Sequence, residues 1–333
     1  MSAVLERCVD RAQAVRIHAY GGPEAMRFEE IALAPPAAGE VQIRQHAAGI
    51  NYLDTYHRRG VFPLPALPGT LGVEGAGEVI ALGPEVTRFK VGDRVAYACP
   101  PLGGYASVRN LSERFLLHLP DAVSYEQAAA ATLQGLTAHM LLHRVTHLLP
   151  GDTALVHAAA GGLGSLLTQW LHRQGVRVIG VVGSESKAAI AREQGCNEVV
   201  VGEYIRATRE LTGGVGVDCV FEGLGGQVFH DSLTLLKPFG QLVNLGQVAD
   251  GLPVVPLAAL GPAASLTVSV PGVFAYVRTH PDLQRAADTV FSLIADGSLK
   301  VRIGGRFPLR EAANAHLALQ SRGTTGALIL LPE

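Results

Sequence analysis

The chain has 333 residues, of which 48% are hydrophobic and 17% charged, and its formal net charge is −2. A chain of this size and composition can bury two cores, and the near-neutral charge gives no support for a nucleic-acid-binding surface. The first ten residues lack the apolar core of a secretory signal, and no apolar run is long enough to cross a membrane, so we expect a cytoplasmic protein.

Short strands broken by glycine and proline fill the first third of the chain. Residues 1–13 are expected to form a loosely held extension. Apolar and polar residues alternate in segments that predict strands over 15–19, 41–46, 72–82 and 93–98. Such short strands at irregular spacing favour a small barrel-like domain. A helix rich in alanine is expected over 124–144, where the chain leaves this domain.

An apolar strand, a turn of small residues, a helix and a second strand come next. The strands are expected over 154–156 and 176–182, and apolar residues at helical spacing predict the helix between them. Gly161 and Gly162 in the turn let backbone N–H groups approach a pyrophosphate, which the helix N-terminus also favours. This βαβ pattern indicates a dinucleotide-binding unit.

The end of the second strand indicates which dinucleotide is bound. NAD-binding units place a carboxylate about 20 residues after the glycines, where it holds the ribose 2′-hydroxyl. Here Gly183 and Ser184 leave room for a 2′-phosphate, and Lys187 supplies a positive charge. We therefore expect NADPH. Glu185 is the discordant residue: we interpret it as facing solvent, with a ribose contact as the alternative.

Strands and helices keep alternating after this unit, which predicts a doubly wound parallel sheet of the α/β class. The expected helices are 187–194, 203–212 and 227–236, and the expected strands are 198–201, 217–222, 241–246 and 265–270. The last part of the chain holds two further helices and a closing strand, at 283–295, 309–320 and 327–331. We expect this part to return to the first domain.

Six motifs in this order connect the chain to a known family. They are AGINYLDTY at 48–56, LPGTLGVEGAG at 67–77, VGDRV at 91–95, GLT at 135–137, HAAAGGLG at 157–164 and SRGTTG at 321–326. With them the chain resembles the zinc-independent quinone oxidoreductases of the ζ-crystallin type, in the medium-chain dehydrogenase/reductase superfamily. The likeness extends from about Val15 to Pro332 and is greatest to the bacterial NADPH-dependent enzymes.

The resemblance implies a fold and an assembly. A Rossmann doubly wound parallel sheet over 139–274 would bind NADPH. A GroES-like β-barrel catalytic domain would comprise 14–138 and 275–333, preceded by the extension 1–13. The family is usually a homodimer joined through its Rossmann domains, so we expect a homodimer.

The resemblance also implies the site residues. The catalytic candidates at the nicotinamide are Asn51, Asp54 and Tyr56. The cofactor-binding candidates, from the nicotinamide through the pyrophosphate to the 2′-phosphate, are Tyr52, Gln134, Thr137, Ala160, Gly161, Gly162, Leu163, Gly183, Ser184, Lys187, Gly223, Gly246, Gln247, Val268, Ser269, Val270 and Arg322. A structural role remains the alternative for Asn51 and Tyr56, because asparagine suits turns and a buried tyrosine needs only one partner.

Three features depart from the family pattern. Gln134 stands where family members often have lysine, which loses a cation near the nicotinamide. The segment after the third Rossmann strand is shorter than the family's Asn-Tyr-Arg segment, and Tyr204 is a candidate replacement for that tyrosine at the 2′-phosphate. Ala159 occupies the first glycine position of the dinucleotide motif, a replacement that is common in this family.

No metal site is expected. Val73 and Asn51 stand where zinc alcohol dehydrogenases of the same superfamily place ligands, and neither side chain suits zinc. The histidines His139, His143 and His147 fall at i, i+4 and i+8 without a carboxylate partner, and we interpret them as a solvated helix face. The arginines of the first domain, Arg44, Arg58 and Arg59, are interpreted as surface charges.

The expected reaction is hydride transfer from NADPH to a quinone. Tyr56 or Asn51 would donate a hydrogen bond to the oxygen that gains negative charge. Two alternatives stay open. One is an NADPH-dependent reductase of an enone or enoyl thioester on the same scaffold. The other is a non-catalytic NADPH-binding protein, structural or RNA-associated, against which the near-neutral charge argues.

Overall fold

The computed structural model describes residues 8–98, 101–246, 248, 254–277 and 280–332. It divides into two compact units. One comprises the residues up to Leu136 and those from Val277 onward, and the other is Thr137–Tyr276. Within the described residues no helix is both long and apolar enough to span a membrane.

Strands and helices are numbered in chain order. The strands are β1 (Arg11–Ile17), β2 (Met26–Ala32), β3 (Glu40–Ile50), β4 (Gly69–Thr70), β5 (Glu74–Leu82), β6 (Arg94–Ala98), β7 (Val108–Ser112), β8 (Leu117–His118), β9 (Thr153–His157), β10 (Arg177–Val182), β11 (Glu198–Val201), β12 (Val217–Glu222), β13 (Leu236–Asn244), β14 (Thr267–Ser269), β15 (Ile303–Pro308) and β16 (Ala327–Leu331). The helices are α1 (Tyr52–Arg59), α2 (Tyr125–Met140), α3 (Gly162–Arg173), α4 (Glu185–Glu193), α5 (Tyr204–Leu211), α6 (Gly226–Leu233), α7 (Leu257–Leu260), α8 (Val273–Tyr276), α9 (His280–Ala295) and α10 (Ala312–Gln320).

The first unit is built around β3. Its larger, mostly antiparallel sheet has the order β15-β16-β3-β5-β6-β8, with β7 also paired to β3, and a smaller sheet has the order β2-β1-β4. Apolar residues of β3 are buried in two clusters, one with Val41 and Ile43, the other with Ile50. The β3–β5 register shifts beside Gly77, where a Cβ atom would lie 2.1 Å from the Arg44 carbonyl oxygen. Only glycine fits this close approach of two strands.

The first unit corrects the sequence prediction in two respects. β1 begins at Arg11, and the Val9 amide donates to Gln42 Oε1 at 2.7 Å, so the described end of the predicted extension is part of the sheet structure. The prediction lacks the strands β2, β4, β7, β8 and β15 and helix α1. Neither β2 nor β15 has a buried residue, and the alternation of both is weak.

The second unit confirms the predicted doubly wound parallel sheet. Its order is β11-β10-β9-β12-β13-β14, and every neighbouring pair is parallel. Counted within the unit this is the order 3-2-1-4-5-6 of dinucleotide-binding sheets, in which the strand order reverses beside the first strand. The core holds Leu155, Ile179, Val220 and Leu242 from four adjacent strands, packed against Phe229 of α6.

Two helix ends in the second unit differ from the prediction. Helix α6 ends at Leu233, whereas periodicity extends the predicted helix to Leu236. The reason is tertiary: the Val217 amide already donates to the Leu235 carbonyl at 2.8 Å, so Leu236 joins the sheet. Helix α2 ends at Met140 and continues as a π-helical turn, Leu141–Val145.

The end of this π-helical turn also corrects the interpretation of the histidines. His147 lies beyond Val145, so the three histidines do not share one helix face. His139 is half-buried rather than solvated. Its ring centroid lies 4.4 Å from that of His143 and 5.9 Å from that of Trp170, and its Nδ1 atom lies 3.0 Å from the Tyr276 hydroxyl.

Candidate active site

The carboxyl ends of the parallel strands form one edge of the second unit's sheet. Strands β9, β10, β12, β13 and β14 end at His157, Val182, Glu222, Asn244 and Ser269. Val181 pairs with His157, and Glu222 pairs with Asn244. Strands β9 and β10, and likewise β12 and β13, therefore end at the same edge of the sheet. Ligands of such sheets bind along this edge. The segments that follow these strands carry the predicted residues Ala160, Gly161, Gly162, Leu163, Gly183, Ser184, Gly223, Gly246 and Val270, which the fold therefore brings together; Gln247 lies outside the described residues.

The turn after β9 is shaped by close backbone contacts. A Cβ atom on Gly164 would lie 2.3 Å from the Ala158 carbonyl oxygen, so the last glycine of the motif is needed for helix–strand packing. Gly161 is the N-cap of α3 and no side chain caps this helix. The first N–H groups of the helix, which include those of Gly162 and Leu163, are therefore suited to bind an anion. Ala160 is buried within the turn.

The turn after β10 has the open space at Gly183 and the nearby cation that the sequence predicts. No heavy atom lies within 4 Å of a Cβ atom built on Gly183. Ser184 is the N-cap of α4, and its hydroxyl lies 3.0 Å from that of Ser186. Lys187 is half-buried in the first turn of α4, and burial lowers the pKa of its ammonium. Glu185 is exposed.

Glu222, a buried residue that the sequence analysis did not predict as part of the site, connects the turns that follow β12 and β13. Glu222 is fully buried, and its Oε1 atom accepts hydrogen bonds from the amides of Leu224 and Gly225, the latter at 2.8 Å. Its Oε2 atom accepts one from Asn244 Nδ2 at 3.0 Å, and the same amide nitrogen donates to the Gly246 carbonyl. Glu222 thus fixes the turns that carry Gly223 and Gly246.

The proposed role of Tyr204 at a 2′-phosphate is wrong. The Tyr204 ring packs edge-on against His157, with 4.9 Å between ring centroids. Its hydroxyl is buried near Ser232, and burial raises its pKa to about 12. His157 is buried as well; its Nε2 atom lies 3.1 Å from Ser232 Oγ, and burial lowers its pKa to about 4. Both rings belong to the core.

The remaining predicted residues of the second unit differ in their exposure. Val268 and Ser269 belong to β14 and are half-buried, and Ser269 Oγ accepts a hydrogen bond from Gln241 Nε2 at 3.3 Å. Val270, which follows the strand, is 58% exposed. Thr137 is half-buried in α2. Val270 therefore offers an open apolar surface, whereas the Ser269 hydroxyl already has a protein partner.

In the first unit, helix α1 carries the catalytic candidates. Asn51 is its N-cap, and Asp54 Oδ2 accepts a hydrogen bond from the Asn51 amide at 2.8 Å. Asp54 is fully buried, and burial raises its pKa to about 7. Tyr56 is half-buried and packs edge-on against Phe62. The Tyr52 hydroxyl donates to the Leu319 carbonyl at 2.9 Å.

A second buried carboxyl holds the Asn51 side chain. Glu74 is fully buried and accepts hydrogen bonds from Asn51 Nδ2 at 2.7 Å and from the Leu133 amide at 2.6 Å. Burial raises the pKa of Glu74 to about 8, although these hydrogen bonds lower it. Next to Leu133, the buried Gln134 Oε1 atom has no hydrogen-bond partner among the described residues.

The raised pKa of Glu74 predicts a pH dependence of stability. A carboxyl whose pKa rises on folding binds its proton more tightly in the native state, so the free energy of unfolding falls as pH rises from about 4.5 to about 8. We expect Glu74→Gln to reduce this slope in urea unfolding measured across that range. Glu78→Gln, at a half-buried position of the same strand, is the matched control. Equal slopes in the wild type and Glu74→Gln would contradict the prediction.

The interpretation of Arg58 as a surface charge is wrong. Arg58 is only 1% exposed, and its guanidinium donates to the Gly21 carbonyl, to His316 and to Gln320. Neither partner side chain is near Arg58 in sequence, so only the fold reveals the contacts. Arg59, the next residue, is exposed as expected.

Comparison with known proteins identifies the superfamily to which the chain belongs. Residues 37–121 match the family described as "Alcohol dehydrogenase GroES-like domain", and residues 162–292 match "Zinc-binding dehydrogenase". The structure is similar to that of Escherichia coli quinone oxidoreductase complexed with NADPH, with a TM-score of 0.93 and 38% identity, covering 96% of this chain and 100% of the other. A mycobacterial protein complexed with NADPH gives a TM-score of 0.92 and 38% identity at the same coverages. The protein is thus a medium-chain dehydrogenase/reductase with a GroES-like and a Rossmann domain, as predicted.

Similar sequences identify the family of the chain within this superfamily. A "Quinone oxidoreductase" of Pseudomonas aeruginosa is 44% identical over 96% of this chain and 100% of its own length. "Quinone oxidoreductase 1" of Escherichia coli is 39% identical at the same coverages. A "2-haloacrylate reductase" of a Burkholderia species is 37% identical over 95% of this chain and 98% of its own. The chain belongs to the quinone oxidoreductase family.

Proposed function

We propose that this protein is an NADPH:quinone oxidoreductase that transfers hydride without a metal. The observation that carries the proposal is the strand end Gly183–Ser184 with Lys187 beside it, at the ligand-binding edge of the parallel sheet. The turn before α3, with no side-chain cap, supports a pyrophosphate there. The names of the Pseudomonas and Escherichia relatives support a quinone as the acceptor.

The side chains and turns present fit NADPH. We assign Ala160, Gly161, Gly162 and Leu163 to the pyrophosphate, Gly183, Ser184, Lys187 and Arg322 to the 2′-phosphate, and Gly223, Gly246, Val268, Ser269 and Val270 to the remaining cofactor surface. Tyr52, Gln134 and Thr137 are assigned to the nicotinamide side. The orphaned Gln134 Oε1 atom is an acceptor suited to the nicotinamide carboxamide N–H₂. Arg322 has a left-handed backbone with φ of +57°, a cost that non-glycine residues tend to bear at functional positions.

The protein's part in the reaction is to position, to stabilise charge and to exclude water. NADPH supplies the hydride when bound. Glu74 fixes the Asn51 amide and leaves its second N–H for a ligand oxygen. Tyr56 offers a phenolic donor to the quinone oxygen that becomes negative. Asp54 is fully buried and accepts a hydrogen bond from the amide of the N-cap residue Asn51, so its role is to position α1 and not to contact the quinone.

Tyr56→Phe is expected to lower turnover about 5- to 150-fold, because one hydrogen bond that strengthens in the transition state contributes roughly 1–3 kcal/mol. NADPH affinity should stay nearly unchanged. Steady-state kinetics with 1,4-benzoquinone and a direct NADPH titration measure the two quantities. An unchanged kcat would mean that Tyr56 has a packing or orienting role and does not act as a hydrogen-bond donor to the quinone.

A panel of acceptors tests the proposed function. NADPH oxidation is measured with 1,4-benzoquinone, a 2-haloacrylate and an alkenal. The proposal predicts the highest kcat/KM with the quinone. A higher value with the 2-haloacrylate would favour reduction of an activated C=C bond, the second candidate, which the 37% identical Burkholderia relative supports. No turnover with any acceptor would favour a non-catalytic NADPH-binding protein.

The metal-free assignment is tested by elemental analysis. The described residues contain no group of three or more His, Cys, Asp or Glu side chains that could hold a metal ion. Asn51 is hydrogen-bonded to Glu74, and Val73 has no ligand atom. We expect far less than one zinc per chain and activity that resists a chelator. About one zinc per chain, with activity lost on chelation, would contradict the assignment.

We also propose that the protein is a homodimer. β14 is the edge strand of the parallel sheet, and two residues on the segment leading to it are strongly exposed apolar side chains, Val254 at 85% and Leu257 at 83%. An unpaired sheet edge beside exposed apolar groups is a surface suited to a partner strand. Light scattering should give twice the 35.0 kDa chain mass, and a monomer mass would reject the proposal.

A further inference from the structure

Helices α1 and α10 are clamped together by buried polar contacts. Arg58 Nη1 lies 3.0 Å from His316 Nδ1, and Arg58 Nη2 donates to Gln320 Oε1 at 3.1 Å. At the start of α1, the Tyr52 hydroxyl donates a hydrogen bond to the carbonyl of Leu319 in α10. Arg58 and His316 are at most 1% exposed. Arg58 thus contacts two residues that lie 258 and 262 positions further along the chain, and its contact with His316 is fully buried.

The contacts continue as a directed chain of hydrogen bonds. Because a guanidinium only donates, His316 Nδ1 must accept, and the ring proton is therefore on Nε2. His316 Nε2 donates to the Tyr105 hydroxyl at 3.0 Å, and Tyr105 donates to Asp54 Oδ2 at 3.0 Å. Burial and the neighbouring Arg58 lower the pKa of His316 to about 3, so the ring stays neutral. The clamp (Arg58, His316, Tyr105 and Asp54) thereby holds α1 at two positions one turn apart.

The other end of the clamp leads to Arg322. Helix α10 ends at Gln320, Ser321 caps it through a hydrogen bond to the Ala318 carbonyl, and Arg322 follows in the left-handed conformation. Such a conformation is unfavourable for a residue other than glycine. Burial raises the pKa of the Tyr52 phenol, and the charge of Arg322 opposes part of that rise. The Tyr52 hydroxyl of α1 also donates to the carbonyl of Leu319, three residues before Arg322, so α1 contacts the end of α10 that leads to Arg322.

We propose that Arg58 and His316 are positioning residues that couple Arg322 to α1, so that binding of a 2′-phosphate at Arg322 fixes Asn51 and Tyr56. This inference rests on the proposed function, because it takes the 2′-phosphate of NADPH as the ligand of Arg322. It assigns part of the preference for NADPH to residues that cannot touch the cofactor. The buried contacts that carry it all lie within the first unit.

The test compares two nucleotides without a nicotinamide. 2′,5′-ADP carries the 2′-phosphate and ADP does not, so calorimetry on the full chain separates the phosphate contact from the rest of the site. We expect His316→Leu to weaken 2′,5′-ADP binding about five- to tenfold, the effect of loosening a charge-assisted contact, and to leave ADP binding nearly unchanged. His316→Gln should retain most of the affinity, because its amide can accept from Arg58 and donate to Tyr105.

Further variants keep the test decisive. Arg59→Ala, at the exposed neighbour of Arg58, is the control and should bind both nucleotides as the wild type does. If His316→Leu does not fold, Gln320→Ala, at an exposed position, removes the second Arg58 contact and is judged by the same criterion. Equal loss of both nucleotides, or loss of neither, would overturn the proposal. A wild type that binds ADP as well as 2′,5′-ADP would instead reject NADPH as the cofactor.

Discussion

Glu222→Ala is expected to lower the free energy of unfolding by about 3–5 kcal/mol, because it removes the acceptor of three donors in a buried network. The amides of Leu224 and Gly225 and the Asn244 side chain would each lose their hydrogen bond to Glu222. Urea unfolding, followed by circular dichroism, measures the change. Glu193→Ala, at an exposed glutamate of α4, should change stability by less than about 0.5 kcal/mol.

Glu222→Ala should also disturb the edge of the parallel sheet to which we assign the cofactor. Glu222 holds the turns that carry Gly223 and Gly246, and their displacement should weaken binding of both NADPH and NADH. Glu222→Gln keeps one acceptor oxygen and should fall between the wild type and Glu222→Ala in both measurements. If Glu222→Ala is as stable as the Glu193→Ala control, the three hydrogen bonds do not stabilise the fold.

Lys187→Ala is expected to weaken NADPH binding by about 1.5–3 kcal/mol, or roughly 10- to 150-fold, because it removes a charge-assisted hydrogen bond to the 2′-phosphate. NADH has no phosphate at this position, so its affinity should hardly change. Fluorescence titration of both cofactors with both proteins gives the four dissociation constants. Arg192→Ala, at an exposed cation of the same helix, is the control and should leave both affinities unchanged.

Two outcomes would contradict this account of Lys187. Equal weakening of NADPH and NADH would show that Lys187 supports the local structure of α4. A wild type that prefers NADH would show that the exposed Glu185 binds the ribose hydroxyls, the alternative that the sequence leaves open. The half-buried position of Lys187 supports the phosphate contact, because a partly desolvated cation gains more from an anion.

The sequence predicts the parallel sheet and the position of the cofactor edge because both depend on local patterns. β9, β10 and β12 are short apolar runs, and each is followed by glycine or another small residue within a few positions. Once strands and helices alternate, the parallel arrangement and the shared strand ends follow. The open space at Gly183 could thus be predicted from the sequence alone.

Long-range polar contacts could not be predicted in this way. Arg58 looks like a solvated residue of an amphipathic helix, and only the return of α10 to α1 buries it against His316. Glu222 ends a strand where a polar residue usually faces solvent, yet the turns of β12 and β13 enclose it. Helix α6 ends before its periodicity does, because pairing with Val217 takes Leu236 into the sheet. In each case a distant partner outweighs the local preference.

The comparison of NADPH with NADH as donors to 1,4-benzoquinone tests the central claim most directly. We predict that the wild type reduces the quinone with both cofactors and that kcat/KM is at least about 10- to 150-fold higher with NADPH, the factor expected from the Lys187 contact to the 2′-phosphate alone. Equal or higher kcat/KM with NADH, or no quinone reduction with either cofactor, would contradict it.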